Sequence, residues 1–152
     1  MEKTLIVYYS KSGKSEMLAK TLREKTGYDM DKLEYADKDR ISFPAAVIES
    51  LRKTTVGIKG DAHNPAEYDR IIFVSPVWGS ALSTPIRSYM SVHRENIKAY
   101  SLIAVCGKTG LEGTVKDAAA VMGKEPSVSE QYISAQVGKG AYNLEKFMAP
   151  ED

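Results

Sequence analysis

Three short, uninterrupted apolar runs fix most of what this chain can become: Leu5 to Tyr9, Ile71 to Val74 and Leu102 to Cys106. A strand with one wet face alternates apolar and polar residues. A continuous run of four or five reads as a strand covered on both faces. Each run leads into a polar or glycine-bearing loop and then into apolar residues at helical spacing. These are Met17, Leu18, Thr21 and Leu22 up to Gly27; Ile86, Tyr89 and Met90 behind an expected Thr84 cap with Pro85; and Val115, Ala118, Ala119 and Met122. Pro44 opens a further helix carrying Val47, Ile48 and Leu51. Met30 to Tyr35 and Tyr132 to Val137 alternate and read as edge strands, Gly57 to Tyr68 reads as loop, and Leu144, Phe147 and Met148 mark a short final helix. Five strands alternating with five helices predict an α/β domain, a parallel sheet with helices on both faces and right-handed crossovers.

The length of 152 residues suits a single domain over 1–152. A domain of that size buries roughly two-thirds of its unfolded surface and needs no disulfide or metal to fold. Cys106 is the only cysteine, which leaves no internal disulfide and suggests a reducing, cytoplasmic setting. The first residues lack the pattern of a signal peptide. No apolar run approaches the roughly 20 residues of a membrane span. Lys plus Arg is 21 and Asp plus Glu is 20, so a net charge of +1 gives no global pull toward nucleic acid or an anionic membrane.

In a doubly wound sheet, ligands bind beyond the carboxyl ends of the strands, where the winding reverses. Three loops therefore carry the chemistry. The first is Ser10-Lys11-Ser12-Gly13-Lys14-Ser15: hydroxyls, a glycine and a following helix make an oxyanion cradle of backbone N–H groups. A polar connection with a serine cap explains the same residues about as well. The tail Gly13-Lys14-Ser15 matches a nucleoside-triphosphate loop, but Tyr8 stands where that motif needs its first glycine, and no metal-holding Asp follows the other strands. A phospho-receiver needs a carboxylate cluster at the strand ends, and Ser10, Ser75 and Cys106 supply none. The second loop, Ser75-Pro76-Val77-Trp78-Gly79-Ser80, holds the single tryptophan, expected as an exposed flat face for an aromatic ligand. The third, Cys106-Gly107-Lys108-Thr109-Gly110-Leu111-Glu112-Gly113, offers three glycines that let backbone groups meet a ligand edge. A phosphate cradle, an aromatic platform and a backbone edge, converging at one rim, suit a flat aromatic phosphomonoester such as flavin mononucleotide (FMN).

On Leu5 to Ser15, Tyr68 to Met90 and Leu102 to Gly113, in that order and spacing, the sequence resembles the flavodoxin family in its short-chain form. The resemblance, and not the periodicity, implies a flavodoxin-like three-layer α/β/α sandwich with strand order 2-1-3-4-5 and FMN at the switch point. It implies that Ser10, Ser12, Gly13, Lys14 and Ser15 hold the phosphate. Pro76, Val77, Trp78 and Gly79 would line the ring, with Trp78 stacking, and Cys106 and Gly107 would meet its pyrimidine edge, with Lys108, Thr109 and Gly110 close by. The sequence departs from the family in three places: Lys14 in the phosphate loop, no aromatic residue in the third loop, and no strongly acidic balance.

The resemblance implies a low-potential one- or two-electron carrier that meets redox proteins transiently, usually as a monomer. The alternative is an NAD(P)H-dependent flavin or quinone reductase on the same fold, with NAD(P)H as a partner. Lys11, Lys14 and Lys108 against Glu112 should ease full reduction of a bound flavin relative to acidic flavodoxins, unless solvent screens them. His63 and His93 stand apart in a loop and a helix, a spacing that makes no metal site with Cys106.

Overall fold

A computed structural model describes residues 2–37 and 55–148; the helix expected from Pro44 to Leu51 lies outside the described residues. The elements are β1 (Thr4–Tyr8), α1 (Lys14–Thr26), β2 (Asp29–Lys32), β3 (Glu34–Tyr35), β4 (Ile58–Lys59), β5 (Arg70–Pro76), α2 (Thr84–His93), β6 (Tyr100–Cys106), α3 (Leu111–Met122), β7 (Ser129–Ile133), α4 (Ser134–Gly138) and α5 (Glu145–Met148). One five-stranded sheet runs β2-β1-β5-β6-β7, parallel at every step. Counting only its own strands, the order is 2-1-3-4-5, the flavodoxin-like arrangement expected.

Register explains why the apolar runs do not alternate. Leu5 sits beside Ile71, and Val7 beside Phe73. These four point to one face and pack with Ile86, Tyr89 and Met90 of α2 and Ala118 and Met122 of α3. Their neighbours Ile6, Tyr8, Ile72 and Val74 point to the other face, onto Leu18, Ala19 and Leu22 of α1 and onto Val137 and Phe147. Both faces are dry, so both sets of positions must be apolar. Each fully buried Leu or Ile contributes about 1.5–3 kcal/mol, which makes the three central strands the fixed frame for the loops.

The structure corrects three boundaries. The last strand is Ser129–Ile133, and Tyr132 to Val137 is not one strand: Ser134 starts α4. Pairing to Leu102–Cys106 sets the strand's frame, and the helical turn then returns Val137 to the cluster that holds Tyr132. Met30 to Tyr35 breaks at Leu33; β3 turns away to pair antiparallel with β4, so 57–68 is not all loop. That partner is distant in sequence, which local pattern does not report. Ser83, not Thr84, is the N-cap of α2, and Thr84 and Pro85 fill its first positions.

Candidate functional site

Because the strands are parallel, the segments after β1, β5 and β6 leave the sheet at the same edge. The first loop feeds α1 through Gly13, whose φ of 93° is left-handed and favours glycine. Glycine has no side chain to cap the helix, so the first amides of α1 keep their hydrogen-bonding capacity and the positive end of its dipole. A Cβ placed on Gly13 would meet nothing within 4 Å, so the cradle is open above it. The Ser10 hydroxyl accepts from the Gly13 N–H at 3.0 Å and so shapes the loop, keeping its own proton to donate. Lys11 and Ser12 are exposed, while Ser15 is buried in the first turn. Lys14 reaches sideways: its ammonium lies 3.0 Å from where a Cβ on Gly138 would stand, at the end of α4.

Glu16, in the first turn of α1, is a carboxylate near the same helix end. Tyr8 Oη donates to it at 3.0 Å and Lys32 Nζ at 3.0 Å. Those bonds hold its carboxyl below the usual range, with the Lys32 bond foremost. Burial, together with the Glu16 bond, pushes the Tyr8 phenol up, so that phenol stays a donor.

The second loop is a miniature hairpin. Val77 and Leu82 form an antiparallel bridge, and the Trp78 N–H donates to the Ala81 carbonyl at 3.0 Å. Gly79 and Ser80 both take left-handed backbone, φ 61° and 58°, as a two-residue type I′ connection needs. Both tip residues are exposed. Trp78 is not the open platform expected. It is 3% exposed, and its ring meets Tyr9 edge-to-face at 5.6 Å, while Tyr9 meets Tyr35 the same way at 5.7 Å. The hairpin folds the indole back beneath itself, where it contributes to the core under the rim. Pro76 and Val77 remain half-buried at the edge.

The third loop divides. Gly107, Lys108 and Thr109 are exposed, and a Cβ on Gly107 would meet nothing within 4 Å. Gly110 and Gly113 have a different task. A Cβ on Gly110 would come within 2.6 Å of Val77 Cγ1, and one on Gly113 within 2.4 Å of the Ser80 carbonyl oxygen. These two glycines let α3 close on the hairpin, Gly110 against the Val77 side chain and Gly113 against the Ser80 carbonyl. Cys106 is buried, its thiol pushed up by burial, and its carbonyl accepts from Ser134 Oγ at 3.2 Å. A buried thiol kept protonated is a packing group.

Residues that the sequence reading passed over hold the second loop. Asp117 of α3 is 5% exposed and accepts from the Leu82 N–H at 3.0 Å. Its carboxylate also pairs with Arg87 of α2 through Nη2, and the same Nη2 donates to the Leu82 carbonyl at 3.2 Å. Ser83 N–H donates to Ser75 Oγ at 3.0 Å. Arg87 and Asp117 face each other from different helices, thirty residues apart, so no local motif announces them. His63 lies on buried Asp31 at 2.5 Å and His93 on Asp61 at 3.0 Å; among the described residues no cluster of three or more His, Cys, Asp or Glu could hold a metal.

No protein-family model and no curated protein matches the sequence. Solved structures match along nearly the whole chain. The crystal structure of a flavoprotein from Lactobacillus acidophilus NCFM in complex with FMN superposes with a TM-score of 0.74 at 21% identity, over 91% of this chain and 98% of that one. The apo form of the flavoprotein from the same organism, determined by NMR, gives 0.69 at 20% identity, over 93% and 99%. A WrbA-like flavodoxin from Agrobacterium tumefaciens gives 0.58 at 13% identity, over 93% and 90%. These likenesses establish the flavodoxin-like fold.

Proposed function

We propose that this flavodoxin-like chain binds FMN at the rim of its sheet and passes electrons between redox proteins. The observation that carries the reading is the α1 N-terminus. It is an uncapped helix end opened by left-handed Gly13, with unobstructed space above it, at the edge shared with the Gly79–Ser80 tip and Gly107. The donor set suits a phosphate at one point and the polar edge of a flat ring at another. It does not suit stacking on Trp78, which is buried. The ring face would meet Pro76, Val77 and the hairpin backbone instead. The structural neighbour crystallised with FMN supports the same assignment.

Bound there, FMN would supply one- or two-electron chemistry, and the protein would bind, orient and shield it. The amides after Gly13 would hold the phosphate, helped by the Ser10 and Ser12 hydroxyls. Gly107 would let backbone approach the ring. Exposed Lys11 and Lys108 place positive charge near the rim and would ease its full reduction.

Titration of the protein with FMN tests the reading, because Trp78 is the single tryptophan and lies under the rim. Its emission and the flavin's should both be quenched to a saturable endpoint. Riboflavin, which lacks the phosphate, should bind at least about tenfold more weakly, since hydrogen bonds to a charged group contribute about 1.5–3 kcal/mol. Well-folded protein that leaves flavin fluorescence unchanged would sink FMN binding and the redox role together. Holoprotein mixed with NADPH should stay yellow until a reductase is added. Bleaching by NADPH alone would replace the carrier with a reductase.

A further inference from the structure

We infer that Asp117 and Arg87 form a positioning brace that presents the Gly79–Ser80 tip to the ring of the bound flavin; this rests on the FMN reading above. The tip itself has left-handed backbone at two successive residues, one of them the non-glycine Ser80. Such a turn persists only where its surroundings over-determine it. Three contacts do so. Asp117 accepts the Leu82 N–H, Arg87 donates to the Leu82 carbonyl, and the two side chains pair with each other. Both backbone groups of Leu82 are thereby tied to one buried ion pair, directly beneath the Val77–Leu82 bridge that closes the hairpin.

The steric half of the brace comes from α3. Gly113 lets that helix reach the Ser80 carbonyl, and Gly110 lets its first turn reach Val77. Asp117 lies one helical turn after Gly113, so the same face of α3 that touches the tip carries the carboxylate. A cavity of about 530 Å³ lined by Ser80, Arg87, Gly113 and Asp117, among others, runs alongside this contact. The tip has free space on that side, and hydrogen bonds as well as packing fix it. The brace touches no reacting atom in this arrangement. It acts through the loop, so it should affect the ring's affinity and potential and leave the phosphate cradle alone.

Removing one partner would take from a buried charge the opposite charge it faces and confuse folding with positioning. The test therefore uses paired substitutions. Asp117→Leu with Arg87→Leu deletes both contacts to Leu82 together with both charges. Asp117→Asn with Arg87→Gln removes both charges and keeps an acceptor for the Leu82 N–H, while the shorter glutamine amide stops short of the Leu82 carbonyl that Arg87 Nη2 reaches. The double-leucine protein should bind FMN and riboflavin about tenfold more weakly and show a shifted flavin midpoint potential, with unchanged affinity for inorganic phosphate in the apoprotein. The asparagine/glutamine protein, which keeps only the Leu82 N–H contact, should recover part of the lost FMN affinity and fall about threefold short of the wild type. If the double-leucine protein does not fold, Asp117→Glu moves the carboxylate by one methylene with the pair kept, and the same fall is expected there.

Wild-type affinity and potential in folded double-leucine protein would overturn the brace. So would an equal loss of phosphate affinity. Amide hydrogen exchange in the apoprotein separates the brace from the flavin reading. Residues 77–83 should exchange faster in the double-leucine protein while the β1 loop does not, whether or not FMN binds. Unchanged exchange there overturns the brace alone. Absence of FMN uptake by the wild type overturns the flavin reading, and with it the brace's role toward the ring.

Discussion

Arg70 and Arg87 stand near opposite ends of the same strand–loop–helix unit, and both are buried, 1% and 2% exposed. Arg70 opens β5 at the amino-terminal edge of the sheet. Its guanidinium donates to the Phe147 carbonyl at 3.2 Å and to Tyr28 Oη at 3.3 Å, and pairs with Glu2 at 3.4 Å. It ties down α5, the last described helix, and closes that edge. Arg87 ties down a turn that must remain at the surface. The side chain of its carboxylate partner is 3% exposed, whereas that of Glu2 is 20% exposed. The same chemistry closes one edge and holds the other open, and the difference lies in what each guanidinium's partners are attached to.

Single truncations should show the largest contrast. Arg87→Ala leaves Asp117 charged, buried and without its guanidinium, which costs about 3–5 kcal/mol of stability. Arg70→Ala leaves Glu2 partly exposed and still bonded by the Thr4 hydroxyl, and the lost hydrogen bonds cost about 1–3 kcal/mol. Urea unfolding at neutral pH measures both. Equal losses would mean that the two edges are built alike. FMN affinity should be untouched in Arg70→Ala, because Glu2, Tyr28 and the Phe147 carbonyl lie at the far edge.

The glycines sharpen the contrast within the open edge. Gly113→Ala puts a methyl 2.4 Å from a backbone oxygen of the hairpin, which cannot swing aside as a side-chain end would. Overpacking of that kind costs about 1–3 kcal/mol and displaces the tip. Gly107→Ala meets nothing within 4 Å, so stability should stay within about 0.5 kcal/mol. Its FMN affinity should nevertheless fall, since the methyl occupies the space where the ring edge would approach. Unchanged affinity in Gly107→Ala would remove the third loop from the site.

The closed half of the molecule was the easier to read from sequence. Three two-sided apolar runs and the helices behind them are local patterns, and local patterns identify a doubly wound sheet. The first loop was legible for the same reason, because a glycine before a helix is a local signal with a local cause. The second loop was misread at Trp78. A tryptophan in a polar loop suggests exposure, but two left-handed residues after it fold the chain back and bury the indole against Tyr9. The close approach of Gly110 and Gly113 to the hairpin was not legible, because a glycine needed for helix packing and one needed for a ligand look identical in sequence. Asp117 and Arg87 were invisible, since their pairing depends on how α2 and α3 sit on the sheet.

Two half-buried carboxylates give the finest form of the comparison. Glu16 lies at the open edge, bonded by Lys32 and Tyr8, and Glu130 on β7 pairs with Lys146 of α5 at 2.7 Å. Hydrogen bonding to the lysine is the main cause that lowers both carboxyls. A carboxyl lowered in the fold contributes stability that is full above its unfolded value, near 4.5, and is lost as pH falls through the lower folded value. Glu16→Gln should therefore cost about 0.5–1 kcal/mol at pH 7, discounted because Lys32 is 48% exposed, and the gap to wild type should close toward pH 3. Glu130→Gln should cost less, since Glu130 is more exposed than Glu16 and the nearby Tyr132 phenol donates to the Asn143 carbonyl and not to it, and 0.5 M salt should erase most of its effect. A Glu16→Gln deficit that persists at pH 3 would assign the loss to the Tyr8 hydrogen bond's geometry instead of to charge. The polar cluster at the head of α1 would then be a structural cap on the cradle and not an electrostatic one.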